Sequence, residues 1–214
     1  TLMTIHNLAY QGNFWHWDML ITGIDWQYFN WQQMEFYGRL NLLKTGIVFA
    51  DKLSTVSPSY ALEIQTTEQG HGLDTILRER SADLIGILNG IDTNEWNPAK
   101  DNHLAANYSA DDWQTGKAFC KSNLQKAFGL DVDPTRPLIG IVGRIASQKG
   151  WALILEVAKQ WLATQTAVQW AILGTGDSDL ENELQQLAQT SPHTLAARLE
   201  FSNELAHKVE AGSD

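Results

Sequence analysis

The stretch from Leu138 to Gly150 constrains the fold of this chain more than any other. An apolar run rich in β-branched residues stops at Gly143 and is followed by a polar turn and a helical pattern from Trp151 to Trp161. This order predicts a strand, a loop and a helix. In a parallel α/β sheet, loops beyond the carboxyl ends of strands bind ligands, and the start of the next helix offers free N–H groups to an anion.

Two cations occupy that loop. Arg144 and Lys149 stand between Gly143 and Gly150, and glycine lets the backbone approach a ligand closely. Guanidinium and ammonium groups at such a strand end suit a diphosphate. The alternative is that both cations are only solvent-exposed residues of a surface loop, and this stretch alone does not decide between the two interpretations.

The composition limits the class of ligand and partner. With 214 residues, 43% of them hydrophobic, the chain can form one large domain or parts of two. A net charge of -10 and a pI near 4.9 argue against nucleic-acid or membrane partners, so an anion must be held by a local cluster of cations. The single cysteine, Cys120, excludes an intrachain disulfide framework or a thiolate metal cluster. We expect a cytoplasmic location, or a plastid if the source is a plant or alga.

Both ends of the sequence have the character of internal segments. The chain starts at Thr1 with a buried-strand pattern over 2–5, and it stops at Asp214 after a helical pattern from Glu204 to Glu210. We therefore expect an internal piece of a longer protein.

The first polar motif follows the strand pattern at 2–5. His6 and Asn7 stand at its carboxyl end, and Gln11-Gly12 turns the chain. Imidazole and amide groups there can bind a polyol or stabilise a developing charge, although a packing role for the histidine is the alternative. Residues 13–33 are rich in aromatics without a clean period, which predicts short helices and loops whose aromatic side chains either pack or line a carbohydrate site.

The rest of the pattern alternates helices and strands. Ser57 is predicted as an N-cap with Pro58 at the first helical position, and the Asn89-Gly90 turn could be purely structural. Three C-terminal strands separated by helices predict a parallel, right-handed, doubly wound sheet. The predicted elements are a helix over 34–49, a strand over 52–56, helices over 58–64 and 73–80, a buried strand over 84–88, a surface linker over 93–112, a helix over 111–128, strands over 138–142, 168–173 and 195–201, and helices over 151–161, 179–187 and 204–210.

A second glycine-containing loop follows the strand at 168–173. The backbone N–H groups of Gly174, Thr175 and Gly176 are expected to join Arg144 and Lys149 at an adjacent strand end. The glycines of this loop are only a weak indication of a nucleotide site. We interpret the loop as a second edge of the ligand crevice beside the Arg144 loop, rather than as a dinucleotide-binding fingerprint.

Six segments of the sequence resemble, in order, the bacterial glycogen synthase and plant starch synthase family, which transfers glucose from a nucleotide sugar to the end of a glucan. The resemblance implies the α/β GT-B fold, two Rossmann-like lobes with parallel sheets, here incomplete at both ends. It implies that residues 1–84 belong to the N-terminal acceptor lobe, and residues 85–214 to the lobe junction and the first part of the nucleotide-binding lobe. The matching segments are 6–12, 41–47, 50–61, 86–98, 144–150 and 173–177.

The resemblance also implies catalytic roles for individual residues. His6 matches the family's active-site histidine near the transferred sugar, with Asn7 beside it, and Asn89 matches an active-site asparagine. Arg144 and Lys149 match the pair that grips the departing diphosphate. Because the family uses no metal, these cations would supply the electrostatic stabilisation that a divalent ion supplies in other enzymes.

Further positions are implied to bind the donor. Gly174, Thr175, Gly176 and Asp177 fall near the nucleotide, and Phe201 falls where the family places an aromatic ring against adenine. The implied function is a retaining glucosyltransferase that elongates an α-1,4-glucan from ADP-glucose. The donor base, ADP or UDP, is not fixed by the residues themselves.

Some family features lie outside these residues or differ from the pattern. The family's glycine-rich acceptor-side loop precedes Thr1, its donor-binding glutamate motif follows Asp214, and Gly143 stands where a serine is common. We therefore expect the chain to be inactive on its own. The alternatives are a truncated, non-catalytic glucan- or nucleotide-binding protein, or another GT-B enzyme such as a sucrose-phosphate synthase relative, which the motif at 6–12 argues against.

Overall fold

Each half of the chain folds around its own parallel sheet. The computed structural model describes residues 1–214 and divides into unit 1, Thr1–Ile91, and unit 2, Asp92–Asp214. The predicted boundary at residue 84 falls at the first residue of the strand Leu84–Gly86, which pairs with the strand Lys52–Thr55 in the sheet of unit 1.

Unit 1 has a three-stranded parallel sheet in the order β1-β5-β6 and a small antiparallel sheet in the order β2-β4-β3. Its main core packs helices against the parallel sheet, with Ile5, Leu53 and Leu77 fully buried. The elements are β1 (Leu2–Ile5), β2 (Asn13–Trp15), α1 (Met19–Thr22), β3 (Glu35–Phe36), β4 (Arg39–Asn41), α2 (Leu42–Phe49), β5 (Lys52–Thr55), α3 (Pro58–Glu63), α4 (Asp74–Glu79) and β6 (Leu84–Gly86).

The prediction of one helix over residues 34–49 is wrong in its first half. A hairpin of β3 and β4 occupies that half, turning through Tyr37 and Gly38, both with positive φ. The helix begins only after Asn41, whose side chain caps it by accepting a hydrogen bond from the Lys44 N–H at 2.7 Å. A hairpin turn and an N-cap thus interrupted an apolar spacing that resembles a helix. The predicted Ser57 cap of α3 is confirmed, because Ser57 Oγ accepts from the Tyr60 N–H at 2.9 Å.

Unit 2 has a three-stranded parallel sheet in the order β7-β8-β9. Helices cover both faces, because side chains of β8 alternate between two cores: Ala171 and Leu173 enter the core of α5 and α8, and Trp170 and Ile172 enter that of α6 and α7. This confirms the predicted doubly wound sheet. The elements are α5 (Trp113–Phe128), β7 (Leu138–Val142), α6 (Trp151–Ala163), β8 (Gln169–Leu173), α7 (Ser178–Thr190), β9 (Leu195–Arg198) and α8 (Asn203–Gly212).

The surface segment over 93–112 consists of turns that belong to unit 2, where Trp96 stacks on His207 of α8. On α5, Trp113 and Phe119 are exposed. None of the helices is both long enough and apolar enough to cross a lipid bilayer.

Candidate functional site

The loop after β7 holds Arg144 by its backbone and leaves the guanidinium free. The indole N–H of Trp151, a buried residue in α6, donates to the Arg144 carbonyl at 2.9 Å, and the Ala146 N–H donates to the same oxygen at 3.1 Å. The Arg144 and Lys149 side chains are exposed and form no salt bridge, although 11 ion pairs occur elsewhere in the chain. Two unneutralised cations at a strand end can receive an anionic ligand.

The loop after β8 runs directly beside the Arg144 loop. The Ile145 N–H donates to the Thr175 carbonyl at 2.9 Å, and the Asp177 N–H donates to the Ile145 carbonyl at 2.7 Å. The two glycines make this approach possible, because a Cβ at Gly174 would lie 1.8 Å from the Gly143 oxygen and one at Gly176 would lie 1.9 Å from the Ile145 oxygen. The glycines therefore serve the packing of two backbone segments.

The expectation that three N–H groups of this loop face a ligand needs correction. The Gly174 N–H donates to the Arg198 carbonyl at 3.1 Å, and the Gly176 N–H donates to the Glu181 carboxylate at 2.6 Å. Only the Thr175 N–H donates no hydrogen bond within the chain. Asp177 also has a partner, because its carboxylate accepts from the Ser147 N–H at 3.4 Å and so joins the two loops.

The two helix starts at this edge differ in their suitability for an anion. Helix α6 begins after Gly150 with no capping side chain and no acidic residue in its first turn. Helix α7 carries Asp179 and Glu181 in its first turn. Because helix N-termini attract negative charge, the uncapped start of α6 favours a phosphate, whereas carboxylates already occupy the start of α7.

Four of the predicted positions line one cavity of ≈ 390 Å³ in unit 2: Arg144, Gly174, Thr175 and Phe201. That volume lies within the range of about 300–1,000 Å³ that is usual for small-molecule sites. Phe201 lies beyond the end of β9 and is 94% exposed, so no packing in the chain explains its position. Lys149, Gly176 and Asp177 do not line this cavity.

Sequence reasoning missed a part of the cavity wall. Trp96, Glu200, Asn203 and Glu210 also line it, and none of them belongs to a glycine loop or a cationic motif. Trp96 stacks on His207, with ring centroids 3.9 Å apart and an interplanar angle of 6°. Two signals were available in the sequence: Trp96 lies in the matching segment 86–98, and Asn203 and Glu210 are seven residues, or two turns, apart on α8.

In unit 1, His6 and Asn7 follow the carboxyl end of β1, as predicted. His6 is exposed and makes no hydrogen bond within the chain, whereas the Asn7 carboxamide accepts from the Ala9 N–H at 3.0 Å. The loop is anchored behind them, because the Tyr60 hydroxyl accepts from the Leu8 N–H at 2.9 Å. Asn89 follows β6 at another strand end of the same sheet, is exposed, and makes no hydrogen bond.

Other polar residues near this loop are structural. Gln11 and Asn41 are buried and bonded to each other at 2.7 Å, and the Lys44 ammonium is buried and donates to the carbonyls of Trp31 and Glu35. Burial lowers the pKa of Lys44, and the Glu35 carboxylate opposes that shift. The chain contains no cluster of three or more His, Cys, Asp or Glu side chains suited to hold a metal ion.

Comparison with known proteins gives relatives over the whole chain. The family model of the starch synthase catalytic domain matches residues 1–79. The glycogen synthase of Rhodopirellula baltica is 51% identical over 214 residues, which are 100% of this chain and 42% of that protein. The glycogen synthase of Anaeromyxobacter sp. strain Fw109-5 is 50% identical over the same length, which is 44% of that protein.

A solved structure shows the same fold. The catalytic domain of starch synthase IV from Arabidopsis thaliana, bound to ADP and acarbose, matches with a TM-score of 0.91 and 35% identity over 100% of this chain and 44% of that one. The chain thus spans less than half the length of the relatives it matches.

Two parallel α/β units with polar groups at the carboxyl ends of their strands, together with this structural match, give the chain the GT-B fold. The sequence identity extends over all 214 residues to relatives of one kind. The chain is therefore similar over its whole length to part of the proteins of the glycogen synthase and starch synthase family.

Proposed function

We propose that the whole protein is a retaining glucosyltransferase that elongates an α-1,4-glucan from ADP-glucose, and that unit 2 of this chain binds the ADP part of the donor. One observation carries the proposal: Arg144, an exposed cation with no carboxylate partner, and Phe201, an exposed aromatic with no packing partner, line the same cavity. A nucleoside diphosphate offers the matching chemistry, an anion and an aromatic base.

In this proposal Arg144 and Lys149 act on the departing diphosphate. Breaking the bond between the sugar and the diphosphate concentrates negative charge on the leaving oxygen, and preorganised cations there lower the barrier. The loop is suited to preorganisation, because Trp151 and Ala146 fix the Arg144 carbonyl while the guanidinium remains free. The Thr175 N–H is a further donor to the same anion.

The groups of unit 1 are proposed to act on the sugar. Three polar residues of unit 1, His6, Asn7 and Asn89, lie at strand ends, and none of them carries a negative charge. They can therefore contact the transferred glucose, with its hydroxyl groups and its developing positive charge, only through neutral hydrogen bonds. His6 and Asn89 are the free members of the set, because the Asn7 oxygen already accepts from the Ala9 N–H. We expect no metal ion to take part in this chemistry.

The test is glucose incorporation into a glucan primer from ADP-glucose, measured for the whole protein and for two variants. Arg144→Ala should lower turnover by roughly a hundredfold, because loss of one such donor costs about 3 kcal/mol of barrier. Lys126→Ala is the matched control, since Lys126 is an exposed cation of unit 2 that forms no salt bridge and lies outside the cavity. Equal activity in the two variants would contradict the proposed role.

A further inference from the structure

Trp96 is an aromatic wall of the proposed nucleotide cavity that the sequence motifs did not assign. Trp96 lines the ≈ 390 Å³ cavity together with Arg144 and Phe201. One face of its indole is covered by the His207 imidazole, parallel to within 6° and 3.9 Å away. The ring is therefore fixed from one side.

His207 is itself held rigidly. It is 3% exposed, and its Nδ1 lies 2.6 Å from the Asp101 Oδ2. The Asp101 side chain is 7% exposed, and its other oxygen accepts from the His103 N–H at 2.8 Å. A buried imidazole that is bonded to a buried carboxylate is held in one orientation. The stacking contact in turn holds the Trp96 indole parallel to that imidazole.

The same cluster connects the two segments that form this wall. Trp96 and Asp101 belong to the turns at 92–112, whereas His207 belongs to α8. The Glu95 carboxylate accepts from the Asn203 Nδ2 of α8 at 3.2 Å, and it lies 3.9 Å from the His207 Nε2, a buried nitrogen with no hydrogen-bond partner. The wall is thus fixed by contacts that involve no residue of the cationic loop.

Phe201 and Trp96 differ in how they are prepared for a ligand. Phe201 is 94% exposed and rests on no other ring, so its side chain must be ordered when a ligand binds. Trp96 is partly buried and already ordered by His207. Because ordering a side chain costs free energy on binding, a preorganised indole contributes more of its contact energy to affinity.

We propose that Trp96 contacts the nucleoside part of the donor, and that His207 and Asp101 are positioning residues that fix its indole. The inference rests on the proposed function, which places ADP in this cavity. Inorganic diphosphate shares the anion of ADP but has no nucleoside. The aromatic wall should therefore matter for ADP and not for diphosphate, whereas Arg144 should matter for both.

The first measurement needs no disruptive substitution. The 214-residue chain is labelled with 5-fluorotryptophan, and the ¹⁹F signal of Trp96 is assigned by its loss in Trp96→Phe. ADP should shift this signal, and inorganic diphosphate at saturation should leave it in place. An unmoved Trp96 signal at saturating ADP would overturn the inference.

The second measurement compares dissociation constants by calorimetry. Trp96→Ala should weaken ADP binding about tenfold, as expected for the loss of one base–aromatic contact, and leave diphosphate binding within twofold. His207→Ala should weaken ADP about threefold, and His207→Phe, which retains a flat ring against the indole, should restore most of that loss. A purely structural role would instead weaken ADP and diphosphate together and give no rescue by phenylalanine.

The outcomes for the inference and for the proposed function are separable. If Arg144→Ala weakens both ligands but Trp96→Ala changes neither, the inference is wrong and the nucleotide site remains. If Arg144→Ala changes neither ligand, the proposed function fails, and the inference fails with it.

Discussion

The two units use polar residues near their strand ends in opposite ways. In unit 1, Gln11, Asn41 and Lys44 are buried, and each is bonded to a partner inside the unit. In unit 2, Arg144 and Lys149 are exposed without such partners. Polar side chains with internal partners hold the backbone in place, whereas those without partners remain available to a ligand.

The difference arises from how each loop is fixed. Side chains help to fix the loop at 6–12, because the Asn7 carboxamide accepts from the Ala9 N–H and the Tyr60 hydroxyl accepts from the Leu8 N–H. The loops after β7 and β8 satisfy each other through backbone hydrogen bonds, and Gly174 and Gly176 allow that close approach. Each unit also has exceptions: His6 and Asn89 are free in unit 1, and Asp177 has a partner in unit 2.

The largest expected effect comes from breaking the glycine contact. In Gly174→Ala the new methyl group would lie 1.8 Å from the Gly143 oxygen, so the two loops must separate. We expect a loss of at least about 4 kcal/mol in the free energy of unfolding of unit 2, the range of severe overpacking. Urea denaturation measures it, with Gly90→Ala as the control, because a Cβ at Gly90 meets nothing within 4 Å. Equal stability in both variants would refute the packing role.

The second prediction compares two asparagines. Asn41→Ala removes the cap of α2 and leaves the buried side-chain oxygen Oε1 of Gln11 without its donor, which should cost about 3 kcal/mol of stability. Asn89→Ala removes an exposed side chain without partners and should change stability by less than about 0.5 kcal/mol. The opposite order in thermal unfolding would show that internal partners do not identify the structural residues.

The third prediction concerns the free histidine. His6→Ala in the whole protein should lower turnover roughly a hundredfold by removing a group that stabilises the reacting sugar. The affinity for ADP should remain within about twofold, because His6 belongs to unit 1 and the cavity lies in unit 2. Calorimetric titration of ADP checks the second part, and an affinity that falls as steeply as the rate would contradict it.

The smallest effect is a dependence of stability on pH. Burial would raise the pKa of Asp101, but hydrogen bonds from His103 and His207 outweigh it, and the pKa is held below its ordinary value. A depressed carboxyl pKa contributes stability above the unfolded pKa, and this contribution is lost as the pH falls through the folded pKa. Unit 2 should therefore lose stability as the pH falls below about 4, the ordinary pKa of an unfolded aspartate, and Asp101→Asn should reduce that slope. An unchanged slope in Asp101→Asn would exclude this carboxyl as the cause.

The helices and strands of unit 2 could be predicted from the sequence, because the spacing of the apolar residues and the positions of the glycines both indicate them. The strand Leu138–Val142 and the helix from Trp151 needed no long-range contact to be recognised. The hairpin at 35–41 was missed, because its spacing resembles a helix until the turn at Tyr37 and Gly38 is known. The local spacing of apolar residues in a segment does not show which other strand that segment pairs with.

The candidate site could be predicted in part. Arg144 and Phe201 were predicted and line one cavity. The hydrogen bond from the Gly176 N–H to the Glu181 carboxylate could not be predicted from the sequence. In this bond a side chain five residues away occupies an N–H group that was expected to face the ligand. Trp96 was also missed, because its stacking with His207 joins positions 111 residues apart in the chain.

The central claim is that Arg144 and Lys149, the exposed cations of the loop after β7, bind the diphosphate of the donor. Calorimetric titration of the 214-residue chain with ADP, in the unmodified form and in the Arg144→Ala and Lys126→Ala variants, tests it most directly. We predict that Arg144→Ala weakens ADP at least tenfold, as for the loss of a charge-assisted contact, with an unchanged unfolding temperature, and that Lys126→Ala stays within twofold. Equal weakening in both variants would mean that only net charge attracts the nucleotide, and this result would contradict the account.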